Sequence, residues 1–475
     1  MIRRVLALLA MAALSVSVFV FTPGVELISG NPVSPTTVDV KARDLALVCP
    51  GAFFVSGTGT KVGAFKQSGA AGISIYRASN SGLAITGQEL GQDPTAVASN
   101  STQSKKSYLL TASNPDATAA QGSGLLTANQ LQQLSAPSVN GLIGATCQRP
   151  GSDLWIVGGD TSTGREALLI LSNSTRVDST VELQLLSSNG FAAVPGLSAI
   201  SVPARQSVIV PINGLLPKAS TFSVHISARG GAIAAWIQQK TVRGLRSSGV
   251  DLIAPTASAS KELVIPGFLV RGSKFAATLI ARGEQYADIT DTLRISNASA
   301  KPATILAKIT GATSKTFGTV IQATVPAKSS VDLPITGIED GDYAIFISSD
   351  QPVRAGAKLN RSSPTGKPRT EFTWLAAVEA SEGDRYMAVP AAGISKLAIA
   401  NPTTKPVTVR INDAGGTITL SPGALASIRV SSPFVKISSS GKVSATLVVD
   451  INSAVAAMPM VEYRNVGGSV SVVVR

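Results

Sequence analysis

The one histidine in the sequence, His225, is the only residue that could serve a Ser-His-Asp triad. It sits in the alternating stretch FSVHIS, on the opposite face from Val224 and Ile226, and a sibling segment puts Phe346 at the matching position. A general base would not be replaced by phenylalanine, so a structural or surface role is expected. One histidine and the two cysteines Cys49 and Cys147 cannot furnish a four-ligand zinc site. The stretch EDGD (339–342) clusters three carboxylates without calcium-loop spacing. GTGTKVG (57–63) lacks both the dinucleotide and the P-loop spacing. No pair of acids stands out for glycoside cleavage. Trp155, Trp236 and Trp374 could stack on sugars, but core packing is the expected role. These residues predict no catalytic centre, no metal and no cofactor.

The cations are a stronger signal. The net charge is +13, from 41 Lys and Arg against 28 Asp and Glu, and such a surface attracts polyanions. Lys240, Arg243 and Arg246 follow one hairpin-like segment. Arg354, Lys358, Arg361, Lys367 and Arg369 follow its sibling, and residues 351–370 hold no acid. Equivalent loops on stacked modules would form one basic face for an anionic glycan or lipid headgroups; ordinary solvated loops are the bland alternative.

Compartment narrows the partner. Arg3 and Arg4 precede an uncharged apolar run from Val5 to Phe21. This reads as a single-pass signal anchor over 1–25 with the remaining chain outside the cytoplasm, a cleaved signal being the alternative. Nucleic acid then drops out as a partner. In an exported chain Cys49 and Cys147 most simply form a disulfide.

The elements that must position these residues announce themselves by repetition. LLILSNST (168–175), LRISNASA (293–300) and LAIANPTT (397–404) align on Asn173, Asn297 and Asn401. Alternate apolar positions before each Asn predict a strand ending in a turn. A second period-two strand follows each. VPARQSVIVPI (202–212) and VPAKSSVDLPI (325–335) then share seven of eleven residues. Segments 222–236, 343–357 and 435–449 each read as strand, turn, strand. LWIVGG, LVIPG and YMAVPAAG open the repeats.

An all-β fold is therefore expected: three tandem immunoglobulin-like β-sandwiches behind one N-terminal transmembrane helix. The boundaries are an anchor at 1–25, a linker at 26–43, and sandwiches at 44–255, 256–380 and 381–475. The first carries an extension at 57–145, with short strands in GISIYR (72–77), LAIT (83–86) and SYLLTAS (107–113), and a short helix in LTANQLQQL (126–134).

ATCQRPGSDLWIVGG (145–159), LLILSNST, VPARQSV, VHISARGGAIAAW (224–236), GVDLIAP (249–255) and LVIPG, in that order, resemble an actinobacterial family of exported proteins. It is the domain-of-unknown-function family 5719. The N-terminal anchor and the CPG of 49–51 are similar too, and Leu154-Trp155 stands where the family prefers two aromatics. The resemblance covers residues 40–270 well and the rest more loosely. It implies an envelope location and no known catalysis. The expected function is a non-enzymatic, membrane-anchored extracytoplasmic protein. It would bind or scaffold an anionic glycan or an envelope-assembly protein. A passive spacer and a hydrolase with an unrecognised carboxylate site are the alternatives.

Overall fold

The computed structural model describes residues 36–40, 44–56, 65–77, 84–113, 126–313, 318–365, 370–412, 416–461 and 468–472. The chain forms two compact units, one of residues 1–42 with 467–475 and one of residues 43–466. In the first, Thr36–Val40, inside the expected linker, pairs antiparallel with Gly468–Val472. The expected anchor at 1–25 lies outside the described residues. Among the described residues no helix is long and apolar enough to cross a membrane.

The larger unit is all-β, and one strand order recurs four times, not three. Number the strands of a module one to eight in chain order, setting aside the short hairpin Phe54–Ser56 with Phe65–Gln67 in the first module and taking Gly190–Phe191 and Ile200–Val202, which pair with the same strand, as one fourth strand in the second. The first, sixth, third and fourth form one antiparallel sheet in that order. The fifth, second, seventh and eighth form the other. This holds for residues 45–146, 153–253, 260–376 and 381–459. The supposed extension is thus a module in its own right, completed by strands Leu45–Cys49 and Val139–Thr146. Its seventh strand is Leu126–Ala136, where a helix was expected. Burial on both faces of that segment overrides its helix-compatible composition: Gln130 bonds both backbone groups of Gly51, and Gln132 receives the N–H of Phe53.

The strand-turn-strand segments also differ from expectation. In the third and fourth modules the sixth and seventh strands are one continuous strand, Gly341–Ser362 and Phe434–Ile451. Its first half pairs in one sheet and its second half in the other. The turn-like residues mark this crossing. Pro352, which has no N–H to donate, falls between Ser349, the last ladder partner of Ile305, and Arg354, the first partner on Ser296. In the second module Gly230 and Gly231 break the strand in two.

The repeated Asn performs the same task each time. Asn173, Asn297 and Asn401 are fully buried at the end of the second strand. Each amide donates to the carbonyl four residues on, at 2.8 Å in all three. Each Oδ1 receives the N–H and the hydroxyl of Thr175, Ser299 or Thr403. A second amide bond runs to Val202, Val325 or Leu420. The spelling Asn-x-Ser/Thr matches a glycosylation acceptor, but these amides are buried and hydrogen-bonded.

Leu169 and Leu171 face their own module's core with Ile156, Leu183 and Val224. Leu168 and Ile170, on the other face, join Val48, Phe53 and Ile143 of the first module. This two-sided burial is why LLIL shows no polar alternation. The same overlap continues around the unit. Phe372 and Trp374 of the third module enter the second core, Ala398 and Val448 of the fourth enter the third, and Leu131 and Leu142 of the first enter the fourth. The four eighth strands touch in sequence, and the last touches the first again. Modules one and four are further tied by Asn129 to Ala388 and by Thr146 to Pro459. The modules therefore close on themselves instead of standing in a row.

Where closing strands meet without sharing a ladder, carboxylates take the backbone donors. Glu371 accepts the N–H groups of Val250, Phe372 and Leu142, which joins three modules. Asp251 accepts the N–H of Trp374 at 2.6 Å and the hydroxyl of Thr373. Burial pushes Glu371 well above the usual carboxylate range and Asp251 up to about 7.

Candidate functional site

A solvent-open cleft of about 360 Å³ lies between the second and third modules. One wall carries Asp160, Ser162, Arg165, Gln239 and Thr241 from the second module. The other carries Asp288, Thr292, Arg294, Asp332, Lys358, Phe372 and Trp374 from the third, with Glu284 and Gln285 at the rim. The local sequence places them simply. Arg165 opens the buried second strand, Asp288 lies in the last turn of the short 3-10 segment Glu284–Ile289, and Lys358 lies on the long strand Gly341–Ser362.

Charge is distributed with care across the cleft. Asp288 takes both of its oxygens to Arg243 at 2.6 Å and one to Arg165 at 2.8 Å. Burial alone would raise its pKa, but Lys358, Arg243 and Arg165 outweigh burial and hold it at about 2. Arg294 uses all its donors: on Asp332 twice and on the carbonyls of Gly159, Phe222 and Ser220. Its guanidinium also lies 4.6 Å from the Trp374 ring centroid, so it is a clamp between modules.

Three groups keep capacity. Lys358 Nζ donates to the Asp288 carbonyl at 2.8 Å and sits 5.1 Å from the Phe372 ring, which leaves ammonium protons over. Burial lowers its pKa, against the charge of Asp288. Arg165 Nε is buried without a hydrogen-bond partner, 3.6 Å from Asp160 Oδ2. Asp160 Oδ1 receives the N–H and hydroxyl of Ser162, while among the described residues Oδ2 has only that long ion-pair approach from Arg165.

The expected basic residues do not form one exposed basic face. Lys358 lines the cleft, Arg243 bonds the cleft's Asp288, and Lys240 pairs with Glu166. Arg361 is buried and pairs with Asp450 of the fourth module at 2.8 Å. Arg354 lies flat over Trp155, 4.3 Å from the ring centroid. Arg246 is exposed, and Lys367 and Arg369 lie outside the described residues. Module closure accounts for three of them: Arg243, Arg354 and Arg361 meet Asp288, Trp155 and Asp450 of a neighbouring module, whereas Lys240 and Lys358 bond within their own.

Other candidates resolve into structure. Cys49 and Cys147 form a disulfide within the first module, from the end of its first strand to the residue after its eighth. His225 bonds Asp153 at 2.9 Å and stacks on Trp155 at 4.6 Å; with Arg354 on that ring as well, Trp155 offers no free face. Trp236 is wholly buried. Within EDGD, Asp340 accepts the N–H groups of Gly272 and Ser273, and Asp342 binds Arg271 with Lys396 and Ser427 of the fourth module. GTGTKVG lies outside the described residues.

The cleft, the whole of the second and third modules and parts of the first and fourth fall within one matched region. A family model covers residues 96–423, from inside the first module to inside the fourth. The chain belongs to DUF5719, a family of unknown function. No curated protein matches this DUF5719 chain. The match spans every residue that lines the cleft, so the cleft lies wholly within the family's shared region. Sequence reasoning had picked out Lys358 there, and Arg243 that bonds Asp288, but missed Asp160, Arg165 and Asp288. Asp160 follows the Gly-Gly of LWIVGG and Asp288 lies in an irregular turn, so neither shows a periodic signal.

Proposed function

We propose that this chain is a membrane-anchored, extracytoplasmic binding protein of the cell envelope, non-enzymatic, that holds a cell-surface glycan or a precursor of one. Immunoglobulin-like two-sheet modules provide the frame, and the apolar run of 5–21 provides the anchor. The observation that carries the reading is the cleft between modules two and three. It is open to solvent and walled by polar side chains, with donors and acceptors left unused. A scaffold that only spaced other proteins would have no need to keep such groups there.

The test uses the full-length chain. Membrane fractionation and protease digestion of intact cells should find it in the membrane and cleavable from outside. Detergent-solubilised protein should retain a glycan from the native envelope fraction, and Lys358→Gln should release it. A chain recovered in the cytosol, or one that retains no glycan, would sink the proposal.

A further inference from the structure

We infer that the ligand of the cleft is an uncharged saccharide, recognised through vicinal hydroxyls by Asp160 on one wall and Lys358 on the other. This rests on the reading of the cleft as a ligand site.

The argument starts from charge. Asp160, Glu284, Asp288 and Asp332 line the cleft against Arg165, Arg294 and Lys358. Arg243, bonded to Asp288, supplies the fourth cation. The site is therefore formally neutral. Asp288 and Asp332 are each taken up by arginines. What remains is a mixed set: an acceptor at Asp160 Oδ2 and a donor at Lys358 Nζ, with Arg165 Nε sealed from solvent beside Asp160. A carboxylate or phosphate could satisfy the Lys358 donor. It would then stand against Asp160 Oδ2, which lies 3.6 Å from Arg165 Nε, and burial would weaken any screening of that repulsion. A hydroxyl both donates and accepts. Two adjacent hydroxyls, one giving its proton to Asp160 and one receiving from Lys358, fit the set without a charge conflict. Ser162 and Thr292 are at hand for further hydroxyls, and Phe372 and Trp374 give an apolar wall for ring C–H groups.

The experiment measures binding of neutral hexose and pentose di- and trisaccharides, and of the same sugars oxidised to uronates. Ligand-detected NMR is run on the solubilised full-length chain at low and high salt. Expected is binding of a neutral sugar that salt does not weaken, with a loss of about tenfold or more in Asp160→Asn and in Lys358→Gln. Asp160→Asn keeps an oxygen for Ser162 and turns Oδ2 into a donor, so it carries the test should Lys358→Gln fail to fold. Uronates that bind more tightly, lose affinity with salt and gain it in Asp160→Asn would overturn the neutral assignment and leave the cleft a ligand site. If no saccharide binds the folded chain, both readings fall.

Discussion

At the scale of residues, the buried Asn of each module has the clearest consequence. Asn297→Ala leaves the carbonyls of Lys301 and Val325 and the N–H of Ser299 without their partner. A loss of about 2–4 kcal/mol is expected in urea unfolding; a loss within error of zero would remove the turn-locking role. The carboxylates of the closing strands make an opposite pair of pH predictions. Asp251, with a folded-state pKa of about 7, keeps its proton in the folded chain while the unfolded chain releases it above about 4. Its contribution is thus present below pH 4 and lost as pH rises through 7. Asp251→Asn should make the fall in stability between pH 4.5 and 7.5 shallower, with the part owed to Glu371 and Asp291 left in place. Asp288 and Asp342, both near 2, add stability that disappears only as pH falls from about 4 towards 2. Chemical unfolding at a series of pH values separates the two windows.

At the scale of elements, the second strand, the Asn turn and the VPA segment were legible because one period and one turn chemistry repeat. The first module was harder to read. Its opening LALVCPG parallels LWIVGG and LVIPG, and LQQ at 131–133 echoes IQQ at 237–239. Yet its glutamines suggest a helix to any reading of composition. The crossing strands were misread for a related reason: Gly and Pro mark a change of sheet as readily as a hairpin. The cleft was only half legible, since Asp288 and Asp160 are assigned by which module faces which. The disulfide ties the first strand of module one to the end of its eighth. Replacing both Cys49 and Cys147 with Ala should cost about 2–5 kcal/mol, seen as a lower unfolding midpoint without a change in β-content. An unchanged midpoint would mean that the surrounding core already holds that junction.

At the scale of the whole larger unit, closure depends on close approach of the eighth strands. A Cβ on Gly144 would lie 2.9 Å from the Ala456 Cβ and close to Met458. Gly144→Val should therefore part modules one and four while leaving the Lys358 cleft in place. Hydrogen exchange should speed up in 126–146 and 454–459 and stay slow in 165–173. Uniform acceleration would point instead to one cooperative unit. Closure also sets a demand on the order of events as the chain is made. Thr146 waits for Pro459, 313 residues later, and Leu131 and Leu142 wait for the fourth module's core. Contacts so distant along the chain form slowly. Until the last module emerges from synthesis, the first presents an uncovered apolar face. A nascent chain of this kind spends its early life with a sticky patch that only its own final hundred residues can cover, and a holding chaperone would find its footing there.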